Sequence, residues 1–331
     1  MEAAVSLAAS VRAGDRAALA RAITICESTR DDHRAIAEYL LQELLPATGG
    51  ALRLGITGAP GVGKSTFIEA FGMACVAAGR RVAVLAVDPS SKKAGGSILG
   101  DKTRMGELAR HASAFIRPSP AGSMLGGVAR RTREAVWLCE AAGYDLVIVE
   151  TVGVGQSETA VADLVDLCLL MIAPGGGDDL QGIKKGIVEF ADLLVVNKAD
   201  GDLAPAAQRA VADYRHALRL LKPAGGAGAD VVAVSALTGS GIDQMRETVE
   251  TRAEALIQSG ELEHRRAAQA REALWTELGE GLILALKRDK AVAGLLPALE
   301  AEVAARKITP SAAARRGLAA FAGAKGTSRP A

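Results

Sequence analysis

The sequence predicts a mainly parallel α/β sheet flanked by helices, with helical extensions before and after it. Three observations carry this reading. Seven short apolar runs recur between Leu52 and Ser235, several of them continuously apolar, the pattern of strands covered on both faces. Helix-compatible stretches separate most of these runs, as right-handed crossovers between parallel strands require. A glycine-rich turn, Gly58 to Thr66, stands between the first run and a helical stretch, Phe67–Ala78.

Taken in order, residues 1–50 lack β-branched runs and are rich in Ala, Leu, Arg and Glu, which favours helices. Gly14-Asp15 punctuates an early turn, and Pro46 to Gly50 ends the segment. The expected strands are Leu52–Thr57, Arg81–Val87, Ala114–Arg117, Asp145–Glu150, Leu167–Ala173, Leu193–Asn197 and Val231–Ser235. After Gly241 the chain turns helical again, and Leu274, Leu278, Leu282, Ile283 and Leu286 recur at a spacing suited to one apolar helix face. The expected organisation is therefore a helical extension over 1–50, a nucleotide-binding domain over 51–245 and a helical region over 246–321. The small, polar residues 322–331 are expected to be a disordered tail.

Composition narrows the class. The 331 residues are 49% hydrophobic and 23% charged, ordinary for a globular protein and incompatible with global disorder. Lys+Arg 39 against Asp+Glu 38 leaves a formal charge of +1, which offers no general surface for a nucleic acid. Aromatic residues, at 3%, are too sparse for base-stacking platforms. The longest apolar run, Leu167–Pro174, is too short to span a bilayer, so no membrane partner is expected. Cys26, Cys75, Cys139 and Cys168 form no CxxC pair and read as reduced, mostly buried thiols of a cytoplasmic protein. His33, His111, His216 and His264 stand apart from one another and from the cysteines, which counts against metal delivery. Trp137 and Trp275, among apolar neighbours, read as core or interface residues.

Chemistry concentrates at the ends of the strands. Gly58-Ala59-Pro60-Gly61-Val62-Gly63-Lys64-Ser65-Thr66 matches GxxxxGK[ST], in the strand-to-helix setting that this phosphate-binding loop requires. Its glycines let backbone N–H groups converge on phosphate oxygens, aided by the positive end of the following helix. Lys64 would reach the β- and γ-phosphates, and Ser65 would ligate Mg²⁺. Asp88 and Glu150 each close an apolar run, at the sheet edge where open α/β folds bind ligands. A helix cap or a surface carboxylate is the ordinary alternative for each. Glu150-Thr151-Val152-Gly153 resembles the DxxG element of GTPases, so that the Gly153 N–H could sense a γ-phosphate.

Asn197-Lys198-Ala199-Asp200 follows the sixth run and supplies a base-reading carboxylate. Asp200 can accept from the N1–H and N2–H of guanine, whereas adenine would leave it unpaired. Ser235, Ala236 and Leu237, after the last run, form a second base-side loop, and the combination indicates GTP.

From about Ile56 to Leu237 the chain resembles the methylmalonyl-CoA mutase-associated GTPases. The resemblance rests on Val87-Asp88-Pro89-Ser90-Ser91, Gly95 to Met105, Ile116 to Pro120, Glu150 to Glu158 and Leu180 to Ile187. It implies a P-loop GTPase that gates adenosylcobalamin loading and protects a B12-dependent acyl-CoA mutase. It also implies that Asp88, Asp101 and Glu150 line the Mg²⁺·GTP site, which makes Lys64, Glu150 and Asp101 the candidate catalytic residues. Gly95–Met105 and Gly153–Glu158 would be two switches. Asp178 to Glu189 would be a third, with Asp178, Gln181, Lys184 and Lys185 signalling to the mutase. A homodimer through the C-terminal helices is implied as well. The chain departs from the family pattern in three places: Ala94, Asp179 and the run Ala121 to Met124. Two other functions compete: a P-loop kinase of a small molecule, and a GTP-binding scaffold without useful hydrolysis.

Overall fold

The computed structural model describes residues 2–28, 30–88, 105–120, 125–151, 161–174, 191–221 and 230–326. Seven parallel strands form one sheet: β1 (Leu52–Gly58), β2 (Val82–Asp88), β3 (Ala114–Pro120), β4 (Leu146–Thr151), β5 (Leu167–Ile172), β6 (Leu193–Val196) and β7 (Asp230–Ala233). Their order is β3-β2-β4-β1-β5-β6-β7, so β1 lies at the centre between β4 and β5. All seven coincide with the expected apolar runs to within a few residues at their ends.

Side chains alternate between two covered faces, as the pleat demands. In β5, Leu167, Leu169 and Met171 enter a core with Phe67, Ile68 and Phe71 of α4 (Lys64–Ala77). That core also takes Met245, Val249, Ala253 and Leu256 of α7 (Ile242–Gln258). Cys168 points the other way, into a core shared with α5 (Leu125–Ala141) and with helices of the first fifty residues. Those are α1 (Glu2–Arg12), α2 (Arg16–Glu27) and α3 (Asp31–Leu44). Leu170 and Ile172 meet Ala207, Val211, Tyr214 and Leu218 of α6 (Ala204–Leu221). Double coverage explains why the runs are continuously apolar rather than alternating. The N-terminal extension is thus part of the sheet's packing, with Leu19, Ile23, Leu40 and Leu44 fully buried. Its α2 starts where Asp15 accepts from the N–H groups of Ala17 (2.7 Å) and Ala18 (2.9 Å).

The chain divides into two compact units, Met1–Ala267 and Ala268–Ala331. The division falls later than the expected 245/246 boundary, because α7 contributes to the main core and Arg265 and Arg266 bond to the sheet. The second unit comprises the rest of α8 (Glu261–Arg288), α9 (Lys290–Ala304) and α10 (Pro310–Gly326). Leu274, Trp275, Leu278, Leu282 and Ile283 of α8 are exposed, so Trp275, at 71%, is not a core residue of this chain. α10 continues to Gly326, which makes residues 322–326 helical where a disordered tail was expected; a run of Ala and Gly there offers no proline to stop the helix. No described helix is long and apolar enough to cross a membrane.

Candidate functional site

The carboxyl edge of the sheet gathers the candidate residues. β1 delivers the chain into the loop at Gly58, whose φ of 149° places its α-carbon against β5; a Cβ there would stand 2.4 Å from the Met171 carbonyl oxygen. Gly63 takes φ 97°, and a Cβ on it would meet the Asn197 amide nitrogen at 2.5 Å. Only glycine fits either place. Ala59, Pro60 and Gly61 are exposed at the tip, while Val62 is buried beneath. Gly63 also caps α4 without a side chain, which leaves the first-turn N–H groups of that helix facing the loop as an anion seat.

Lys64 is nine-tenths buried, and its Nζ donates to the carbonyl oxygens of Gly58 (2.7 Å) and Ala59 (3.1 Å). Its cation therefore lies inside the loop. One residue on, Ser65 Oγ donates to Glu150 Oε1 at 3.2 Å. Glu150 sits at the end of β4, 8% exposed, in register with Ile56 of β1 and Ala86 of β2. A hydroxyl and a carboxylate held together are hard oxygen donors, a set that fits Mg²⁺. Beneath them Thr151 donates to Thr57 at 2.9 Å, a buried cross-strand bond that the sequence does not advertise. Asp88 ends β2 one step beyond Val87, which is in register with Thr151, so its backbone lies on this same edge. The Asp88 side chain and the whole of Asp101, Gly153, Asp178, Gln181, Lys184 and Lys185 lie outside the described residues, and Thr66 of the loop is exposed.

On the other side of the loop, Asn197 follows β6 and is 2% exposed. Its Nδ2 donates to the Val62 carbonyl (2.9 Å), and its Oδ1 accepts from the Ala236 N–H (3.1 Å). Lys198, at φ 59°, sends its Nζ to the Gly61 carbonyl at 2.8 Å. The two residues thus tie the phosphate loop to the base-side loop. Asp200 is half-buried and accepts from the fully buried Ser235 hydroxyl at 2.6 Å through Oδ1. Thr238 N–H donates in turn to Ser235 Oγ (3.2 Å). Leu237 beside it is 81% exposed.

Sequence reasoning places Asn197 on the nucleotide; in the fold its amide also bonds two protein partners, Val62 and Ala236. It also missed Glu69 of α4, whose carboxylate accepts from the N–H groups of Glu107 (2.7 Å) and Leu108 (3.2 Å), fastening the turn that precedes β3. No local signal marks either role. The four cysteines are buried and free. Burial pushes the thiols of Cys26, Cys75 and Cys168 up to about 12, and that of Cys139 upward as well, so none is a nucleophile near neutrality.

A model of the family "Methylmalonyl Co-A mutase-associated GTPase MeaB" matches residues 19–291. The chain is 50% identical over 280 residues to GTPase ArgK of Escherichia coli K12, covering 82% of this chain and 83% of that one. It is 46% identical over 322 residues to a mitochondrial methylmalonic aciduria type A homolog of Mus musculus, covering 93% and 77%. A crystal structure titled LAO/AO transport system kinase superposes with a TM-score of 0.75 at 38% identity, over 96% of this chain and 97% of that one.

Proposed function

The chain belongs to the methylmalonyl-CoA mutase-associated GTPase family and is a P-loop GTPase, and from that premise we propose that it serves an adenosylcobalamin-dependent acyl-CoA mutase, gating cofactor loading and protecting the mutase from inactivation. The observation that carries this reading is the family match across residues 19–291, which includes the whole nucleotide edge. Similarity to a protein named for methylmalonic aciduria supports the same partner class. Four buried thiols suit a reducing compartment, and we place the protein in the cytoplasm.

In this reading the first-turn N–H groups of α4 hold the phosphates. Lys64 leaves the Gly58 and Ala59 carbonyls and turns to the β- and γ-phosphates, where its charge counters what builds up on the transferred group. Ser65, Glu150, Asp88 and Asp101 would hold Mg²⁺, which when bound neutralises phosphate charge. Glu150 additionally orients the attacking water. Asp200, aligned by Ser235, accepts from guanine N1–H and N2–H, and this selectivity is of no use to a small-molecule kinase. Gly95–Met105 and Gly153–Glu158 serve as the two nucleotide switches, and Asp178 to Glu189, through Asp178, Gln181, Lys184 and Lys185, carries the signal to the mutase. The exposed apolar face of α8 joins two copies into a homodimer.

The test is GTP hydrolysis and adenosylcobalamin transfer measured with purified methylmalonyl-CoA mutase. The expected result is phosphate release without any acceptor, faster when mutase is present, and cofactor transfer that depends on the nucleotide state. Hydrolysis and transfer both indifferent to the mutase would overturn the proposed partnership and favour the scaffold reading.

A further inference from the structure

The ends of β1 and β4 diverge at the nucleotide edge, and a side-chain bond ties them there. Backbone pairing between these two strands runs from Leu52 with Leu146 to Ile56 with Glu150. Beyond that point each strand continues along its other neighbour. β1 stays paired with β5 as far as Gly58 with Met171, and β4 with β2 as far as Val87 with Thr151. Thr57 and Thr151 therefore face each other one step past the last β1–β4 pair, and there the Thr151 hydroxyl donates to Thr57 Oγ1 at 2.9 Å. Both side chains are buried, Thr57 at 0% exposure and Thr151 at 5%.

Packing gives no reason for two hydroxyls here. Strand alternation puts Thr57 and Thr151 on the face of Val147 and Val149, where Val165 and Cys168 help to complete an apolar core. The register neighbour of Thr57 in β5 is Leu170, itself buried. Valine has the shape of threonine and would fill either place with no polar atom to satisfy. What sets the two positions apart is their neighbours along the chain. Thr57 directly precedes Gly58, the root of the phosphate loop, and Thr151 directly follows Glu150. On the opposite face Ser65, which the loop delivers at the head of α4, meets Glu150 Oε1 at 3.2 Å. The path from Ser65 back through the loop into β1, and from Glu150 into β4, is closed at the strand ends by the Thr57–Thr151 bond.

We propose that Thr57 and Thr151 are positioning residues of GTP hydrolysis: their bond fixes the separation of the β1 and β4 ends and so holds Glu150 in place against the phosphate loop. This rests on the reading of Gly58–Thr66 and Glu150 as the GTP site. Without the bond, backbone pairing ties the two strands only as far as Ile56 and Glu150. The Glu150 carboxylate then samples more positions relative to the loop, and the fraction of bound states competent for hydrolysis falls. Nucleotide affinity rests on the loop N–H groups, Lys64 and Asp200, and is little altered.

Thr57→Val and Thr151→Val, alone and together, test this in the full chain, with Tm, GDP affinity and steady-state GTP hydrolysis as readouts. Each single variant leaves one buried hydroxyl without its partner and lowers Tm, whereas the double variant removes both hydroxyls and recovers most of the parent Tm. Under a purely structural role the rate recovers along with Tm; under a positioning role it stays low. For the double variant we expect GDP affinity and KM within about twofold of the parent and kcat lower by about three- to tenfold, the range that one hydrogen bond sets. Thr151→Ser, which keeps the hydroxyl, should hold kcat within about twofold. A folded double variant with the parent kcat overturns the proposal. So does a kcat that follows Tm across the three valine variants, or one that falls only in step with GDP affinity. If the valine pair does not fold, Thr151→Ser against Thr151→Ala decides, since both lack the methyl and differ only in the hydroxyl; equal kcat in those two overturns the proposal. A parent chain that binds no guanine nucleotide would instead refute the underlying reading of the loop.

Discussion

Asn197→Ala tests how the nucleotide site is held together. The wild-type amide is 2% exposed and joins Val62 O at 2.9 Å to Ala236 N–H at 3.1 Å. Alanine leaves one buried acceptor and one buried donor unmet, at about 1–3 kcal/mol each, so roughly 2–6 kcal/mol in all. The vacated space adjoins the exposed tip of the phosphate loop, where water can enter, and the lower end of that range applies. A loss of about 2 kcal/mol in a unit the size of Met1–Ala267 lowers Tm by about 4–8 °C. GDP affinity should fall about tenfold or more, because the phosphate loop and the base-side loop lose their shared strut and must be ordered at binding. Asn197→Asp should be worse: it keeps an acceptor for Ala236 N–H but sets a carboxylate oxygen against the Val62 carbonyl. Thermal unfolding with and without GDP, alongside titration with fluorescent GDP, measures both effects. An Asn197→Ala protein with unchanged Tm and lost affinity would refute the strut, since only direct contact between amide and nucleotide gives that pattern.

Other outcomes are expected elsewhere in the molecule. Asp200→Asn should weaken GTP and admit XTP, whose base carries an acceptor where guanine has its N2–H donor; an unchanged GTP/XTP ratio removes Asp200 from the base site. Glu150→Gln, which keeps an oxygen for Ser65 but loses the charge, should lower kcat more than GDP affinity, and equal losses would point to metal binding as its main role. Trp275→Glu, at a side chain 71% exposed on the apolar face of α8, should shift the protein from dimer to monomer in light scattering without lowering Tm of the first unit; a dimer that persists would place the interface elsewhere. Stability should decline between pH 9 and about 12, because thiols of ordinary pKa 9.0 ionise in the unfolded chain while burial keeps Cys26, Cys75 and Cys168 protonated. Below pH 9 these groups are neutral in both states and contribute no slope; by pH 10 each costs about 1.4 kcal/mol. Urea midpoints at pH 8 and 10, for the parent and for Cys75→Ala, would show no difference in slope if the thiols were not responsible.

What the sequence determined by itself is whatever a short stretch can carry. Continuous apolar runs such as Leu146–Val149 and Leu167–Ile172 announce strands covered on both faces, and all seven strands form where such runs stand. The spacing of Gly58, Gly63, Lys64 and Ser65 announces an anion seat, because backbone freedom and a following helix are local properties. Asn197 and Asp200 announce a base site in the same way, yet the protein partners of each, Val62 and Ala236 for Asn197 and Ser235 for Asp200, were decided by the fold. Val62 lies 135 residues from Asn197, Asp166 lies 100 from Arg266, and Glu69 meets Glu107 across 38. A side chain's propensity is written in its neighbours along the chain, whereas its hydrogen-bond partner is chosen by which strands become adjacent. So the assignment of residues 246–267 to the nucleotide unit, the Asn197 strut and the grip of Arg265 and Arg266 on the far edge became visible only once the sheet order brought distant positions within 3 Å or so of each other.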